Sequence, residues 1–248
     1  MVGMTLGPPP ARTAVAAPSA RSRLLDAAIA LIRERGFTGT TVDALCDRAG
    51  VTKGAFFHHF ASKEALGVAA AEHWTAVTGP LFAAAPYHAH ADPVDRVLAY
   101  IDLRRDLLRG DLPSITCVAG TMVQDTYADH PAIRDACGAS IFGHADTLVA
   151  DIEAAMAARG VGGAGTGDGW TAASLAAHTQ AVIQGAFILA KAANDVAVAV
   201  ACVDHLRRYV AMLFGAVSSP APAAASVPVS TPSAAPDATV APTLERLP

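Results

Sequence analysis

The chain has 248 residues, of which 52% are hydrophobic and 16% charged, with a formal net charge of −4. That length suffices for one or two domains whose cores need no disulfide or metal staple. The cysteines, Cys46, Cys117, Cys137 and Cys202, contain no CxxC spacing, which argues against a zinc ribbon or a disulfide framework and suits a reducing cytoplasm.

Charge is unevenly spread: residues 1–70 hold eight Lys/Arg against five Asp/Glu, and the remainder is acidic. A basic front is compatible with an anionic partner. Residues 1–20 are proline-rich in small, polar company and lack the basic start and apolar run of a signal peptide. They read as a disordered arm, and residues 218–248, with seven prolines among Ala, Ser, Val and Thr, as a disordered tail.

Between the tails, helical periodicity recurs and strand alternation is nearly absent. The first helix is expected at about 21–35, with Leu24, Leu25, Ala28, Leu31 and Ile32 on one stripe and Gly36 as a left-handed cap. Thr40 and Thr41 open a short helix that stops at Gly50, and Thr52 caps another. Ser62 begins a fourth that runs to about Thr78, before Gly79-Pro80. Further helices are expected at about 93–109, 113–127, 131–159, 170–193 and 196–215, several of them started by proline.

The two short helices in 41–60 have helix-turn-helix spacing. Val42, Leu45, Cys46 and Ala49 face inward on the first, and Val51, Phe56 and Phe60 close the small core, the last two being one helical turn apart. Thr52, Lys53, Gly54, Ala55, Phe57, His58 and His59 are left outside: small residues first, bulky ones after, with one fixed positive charge. Such an end can enter a major groove closely. On these features alone, a structural helical hairpin with a solvated face is the alternative.

The segment 36–66, GFTGTTVDALCDRAGVTKGAFFHHFASKEAL, resembles the DNA-binding domain of the TetR/AcrR family of bacterial transcriptional regulators. It shares a Gly-aromatic pair, a Thr-Thr helix start, A-G-V-T-K-G, aromatic-x-x-F and S-K-E-x-L. The resemblance covers about residues 21–70. It implies an all-α homodimer, with a three-helix DNA-binding domain (21–66) followed by a ligand-binding and dimerisation domain of about six helices (67–217), each subunit placing its third helix in a major groove of a palindromic operator.

By position, Thr41, Thr52, Lys53, Gly54 and Lys63 are then the expected contacts to the DNA backbone, Ala55, Phe57 and His58 the base-side contacts, and His59 a neighbour of a phosphate. Phe57 departs from the tyrosine common there and lacks its hydroxyl. It could still press on a thymine methyl.

In such proteins the last two helices form the dimer interface, here carried by Leu175, Val182, Ile183, Phe187 and Leu189. The effector pocket, for an apolar or aromatic small molecule, is expected among Trp74, Phe82, Tyr100, Leu103, Leu107, Cys117, Met122, Tyr127, Phe142, His144 and His178. An ordinary bundle core accounts for the same residue types. Cys117 resembles a reactive sensor cysteine of some members, although no adjacent Lys, Arg or His marks it as a thiolate.

Other features lead elsewhere. The charge-free run 169–190 is long enough for a bilayer, but its Thr, Ser, His and Gln residues favour a buried helix. GVGGAG at 160–165 follows a helix instead of a strand, so it is no dinucleotide fingerprint. His88 and His90 lack a third metal ligand, and His58 and His59 point about 100° apart on a helix. No metal, cofactor or catalytic residue is expected; a helical small-molecule-binding or enzymatic dimer that has lost DNA binding is the alternative.

Overall fold

The computed structural model describes residues 18–162 and 169–216. Most of the expected arm at 1–20, the tail at 218–248 and the last part of the 160–165 loop lie outside the described residues. The described chain is all-helical: α1 (Ala20–Arg35), α2 (Val42–Ala49), α3 (Lys53–His59), α4 (Lys63–Ala83), a 3-10 turn (Pro86–Ala89), α5 (Pro93–Asp106), α6 (Leu112–Ile115), α7 (Val118–Thr126), α8 (Pro131–Asp146), α9 (Val149–Arg159), α10 (Ala172–Ala193) and α11 (Val196–Leu213).

Three expected boundaries are corrected. Helix 113–127 breaks into α6 and α7 because Thr116 and Cys117 are extended; the Thr116 hydroxyl donates to the Pro113 carbonyl, and Cys117 Sγ caps α7 by accepting from Gly120 N at 3.4 Å. Helix 131–159 breaks at Thr147, whose hydroxyl donates to the His144 carbonyl at 2.7 Å while Leu148 N reaches back three residues to Ala145 O. Helix α4 instead runs through Gly79-Pro80 to Ala83, burying Phe82. Proline costs that helix a bond to the carbonyl four residues earlier, on exposed Ala76, where water can replace it.

The apolar side chains sort into two cores. The first joins Leu24, Ala28 and Ile32 of α1 to Leu45 of α2, Phe56 and Phe60 around α3, and Leu66 and Ala70 of α4, and also takes in Met122 of α7 and Ile133 and Cys137 of α8. The second contains Phe82, Tyr100, Ile152, Leu175, Ile183, Phe187, Val203, Leu206 and Val210. Each fully buried large side chain contributes roughly 1.5–3 kcal/mol. Helix α4 has its first half in one core and Phe82 in the other, so it links them.

Local capping follows the sequence. Ser19, Thr41, Thr52 and Ser62 each accept a backbone N–H three residues on, contributing about 1 kcal/mol apiece. Gly36 has φ 79° as expected, but ψ 168° places it outside the left-handed helical region. A side chain there would also meet the Asp125 carboxylate, which accepts from Thr38 N at 2.9 Å and ties the loop after α1 to α7.

Helix α10 is long and apolar enough to cross a membrane by length and composition. It buries Leu175, Ile183 and Phe187 in the second core.

Candidate nucleic-acid interface and effector cavity

The turn between α2 and α3 is built from its backbone outward. Gly50 adopts φ 60°, ψ 46°, the left-handed geometry that costs other residues roughly 1–2 kcal/mol, and Val51 N closes onto Cys46 O at 3.0 Å. The Arg23 guanidinium of α1 donates to the carbonyls of Ala49 and Gly50 at 3.0 and 3.2 Å. Phe56 is fully buried, with the Phe60 ring 5.9 Å away.

That inward anchor leaves Thr52, Lys53, Gly54, Phe57 and His58 exposed on α3, with Ala55 and His59 half-buried. Phe57 is 56% exposed and stands edge-on to Phe56. An aromatic ring so accessible at this place has a face to offer a base-edge methyl. The Thr41 and Thr52 oxygens accept the cap bonds at 3.2 Å, and a hydroxyl that accepts still has its proton to donate.

The two lysines behave differently. Lys53 lies on the surface and its ammonium contacts the Asp43 carboxylate at 2.7 Å, which holds it above the ordinary lysine range. Lys63 turns inward: its ammonium donates to the carbonyls of Phe37 and Thr40, both at 3.0 Å, and lies 4.3 Å from the Phe37 ring centroid. Burial pulls it below the ordinary range. In the free protein Lys63 therefore fixes the loop that presents Thr41, a role its position at a helix start could not reveal.

The ion pair yields a prediction. Asp43→Asn removes an anion beside Lys53, so affinity for random duplex rises several-fold, and the salt dependence, which scales with the phosphates neutralised, steepens. Fluorescence anisotropy across a salt series reads both; an unchanged slope would mean this pair does not face DNA.

A cavity of about 300 Å³ lies among α4 to α8 and α10. Of the eleven expected residues, Trp74, Phe82, Leu107, Cys117 and His144 line it. The other six lie elsewhere. Tyr100 is fully buried behind the wall, bonding His144 Nε2 at 2.9 Å, while Leu103 is only partly buried against the second core. Met122 belongs to the first core, Tyr127 and Phe142 are more than 60% exposed, and exposed His178 packs edge-on against Tyr209 at 5.4 Å.

Arg104, Gln180, Gln184, Ser140 and Phe187 also line the wall, none of them expected there from the sequence. Gln180 and Gln184, one turn apart in the charge-free run 169–190, are the signal the sequence offers. Gln180 donates to the Tyr100 hydroxyl at 3.1 Å, and Thr75 donates to Ser140 at 2.8 Å.

Burial, and then the Arg104 charge, push the His144 imidazole down to about 4. An unfolded histidine titrates near 6.5, so the unfolded chain binds the extra proton first. Stability from neutral His144 is full above that value and is lost as pH falls from about 6.5 to 4, on the order of 2 kcal/mol after allowing for partial exposure. Denaturant titrations at pH 7 and 4.5 should show a smaller pH-dependent loss for His144→Gln than for wild type; equal losses would rule the imidazole out as the source.

Arg33 connects the two sites. Its guanidinium donates to the carbonyl of Ser114 and lies 5.3 Å from the Trp74 ring centroid, and both residues line the cavity. Lys191 of α10 donates to the Arg33 carbonyl at 3.1 Å. The carboxy-terminal end of α1 is thus fastened to the cavity wall, while Arg23 of the same helix clamps the α2–α3 turn.

Of the expected interface residues, Leu175, Ile183 and Phe187 are buried within the chain's own core, and Phe187 reaches the cavity. Leu189 is 52% exposed and Val182 half-buried, and they share the outer side of α10 with His178 and Gly185.

The described chain is thus a clamped helix-turn-helix with a solvent-facing second helix, carried on a helical body that contains a cavity. Residues 24–70 match the family described as bacterial regulatory proteins, tetR family. The HTH-type transcriptional repressor KstR2 of Rhodococcus jostii (strain RHA1) is 44% identical over 59 residues, 24% of this chain and 29% of that protein. The HTH-type transcriptional repressor NemR of Escherichia coli (strain K12) is 39% identical over 80 residues, 32% and 40% of the two chains. The matches thus span less than half the length of these curated relatives.

Solved structures extend the likeness in fold. A TetR-family regulator from Agrobacterium tumefaciens superposes with a TM-score of 0.65 at 21% identity, covering 77% of this chain and 96% of that one. The reduced form of E. coli NemR gives 0.61 at 25% identity, with coverage of 77% and 96%. The sequence match to the tetR family thus covers residues 24–70, and the likeness to these solved structures extends the shared fold over about three quarters of the chain.

Proposed function

We propose that this protein is a homodimeric, ligand-responsive transcriptional repressor of the cytoplasm, which leaves a palindromic operator when a small molecule occupies the cavity. The observation that carries the reading is α1 itself: Arg23 at one end clamps the turn before the exposed α3, and Arg33 at the other touches the cavity wall through Ser114 and Trp74. A ligand that moves that wall shifts α1, and with it α3, which makes the two sites thermodynamically coupled. KstR2 and NemR are both named transcriptional repressors, which supports the direction of regulation.

In this reading residues 21–66 form the DNA-binding domain and 67–217 the effector and dimerisation domain. Backbone contacts come from Thr41, Thr52, Lys53 and Gly54, with Lys63 acting through the loop it holds, and base-side contacts from Ala55, Phe57 and His58, with His59 beside a phosphate. The dimer face consists of Val182, Gly185 and Leu189 of α10 with Tyr209 and Met212 of α11, the last of them 77% exposed. Helix α10 serves core and interface in place of a membrane span. Nuclease footprinting of the protein's own upstream region tests the proposal. Two protected half-sites about one helical turn apart, or a multiple of it, are expected; no protected site at any protein concentration would overturn it.

A further inference from the structure

The charged groups of α5 differ in one respect. Arg96 pairs with Asp151 at 2.7 Å and Arg105 with Asp204 at 2.6 Å, whereas Arg104 forms no ion pair among the described residues. It is half-buried in the cavity wall, where its contacts are the Phe82 ring, 5.3 Å away, and His144 Nε2 at 3.4 Å. A guanidinium only donates, so it contributes no acceptor and holds that imidazole nitrogen as one. Its remaining N–H groups have no protein acceptor among the described residues.

The rest of the lining contains no Asp, Glu or Lys, and His144 is neutral near pH 7. Among the described residues Arg104 is therefore the one formal charge in the lining. A partly desolvated cation without a counter-ion is costly, and its planar fork matches a carboxylate in two parallel hydrogen bonds. Away from Arg104 the wall is apolar and aromatic, with Trp74, Leu81, Ile141 and Phe187.

We infer that the cavity binds an organic monocarboxylate, a carboxylic acid with a single aromatic or alkyl body, whose carboxylate is held by Arg104. The inference rests on reading this cavity as the effector site. A second negative charge on the ligand would be buried without a partner, so dicarboxylates and dianionic phosphates are disfavoured. The volume of about 300 Å³ is at the small end of ligand sites, which suits one ring or a medium-length chain.

Isothermal titration calorimetry on the full chain tests this with benzoate, 4-phenylbutyrate and octanoate, each beside its neutral carboxamide, and with phenylsuccinate as the dianion. In wild type, at least one acid is expected to bind about tenfold or more tighter than its amide and than phenylsuccinate, the difference a charge-assisted bidentate pair supplies. Arg104→Gln should bring acid and amide within about threefold of each other, and Arg104→Lys should restore part of the preference. Retained amide binding by Arg104→Gln shows that the cavity is intact.

An acid preference that survives Arg104→Gln, equal binding of acid and amide by wild type, or no binding of any acid at millimolar concentration would each overturn the inference. Operator binding is measured on the same preparations. An acid bound through Arg104 that leaves the DNA complex unchanged would remove the effector reading but not the carboxylate site; intact DNA binding without acid binding would do the reverse.

Discussion

Gly54→Glu is expected to leave the protein at least as stable as wild type while abolishing DNA binding. Gly54 is the second residue of α3, and a Cβ added there meets only the Thr52 hydroxyl at 3.7 Å, so the free protein has room for the substitution. Replacing glycine in a helix gains up to about 1 kcal/mol, and a carboxylate in the first turn adds a few tenths against the helix dipole. The same carboxylate would point at the phosphates that the amino-terminal end of α3 must approach. Charge repulsion and lost closeness together should weaken operator binding by at least about a hundredfold. Thermal melts and anisotropy titrations separate the two effects; wild-type affinity from this variant would remove α3 from the interface.

Phe56→Ala should have the opposite signature, losing fold and binding together. The ring is fully buried against Phe60 in the small first core, and its removal costs about 3–5 kcal/mol in lost transfer energy and residual cavity. Because Phe56 faces inward from the same short helix that carries Lys53 to His58 outward, its loss detaches α3 from its support. Denaturant midpoints should fall sharply, and DNA binding should fail even at low salt, where Lys53 contacts are strongest. A fall in stability of under about 1 kcal/mol would mean that Phe60 and Leu66 hold α3 without it.

These two residues show what the amino-acid order discloses. Phe56 and Phe60 are one helical turn apart, so their common inward direction follows from helical geometry, and the outward set at 52–59 follows from theirs. Thr41, Thr52 and Ser62 announce their helices because each hydroxyl acts within three residues. Lys63 could not be read this way: its partners, the carbonyls of Phe37 and Thr40, belong to a loop more than twenty residues away. The pairing of Lys53 with Asp43 across the α2–α3 turn is hidden for the same reason.

Helix α10 was ambiguous because it is apolar on both sides. Leu175, Ile183 and Phe187 go into the core and Leu189 goes out, and a helix that is hydrophobic all round has no periodicity to tell these faces apart. The breaks at Thr116-Cys117 and Thr147 come from side chains that bond the backbone locally, an option Thr and Cys also decline in many helices. Arg104 is not legible in the sequence, because an arginine on an amphipathic helix is normally solvated; only the placement of Phe82 and His144 beside it shows that it faces a cavity.

Whether α3 reads DNA is decided by fluorescence anisotropy of the wild-type protein on a duplex from its own upstream region and on a scrambled duplex of equal length, at about 0.15 M salt. The upstream duplex is expected to bind tighter by about a thousandfold or more, with that preference lost in Gly54→Glu without loss of stability. Equal affinity for the two duplexes, or a preference that survives Gly54→Glu, would contradict it.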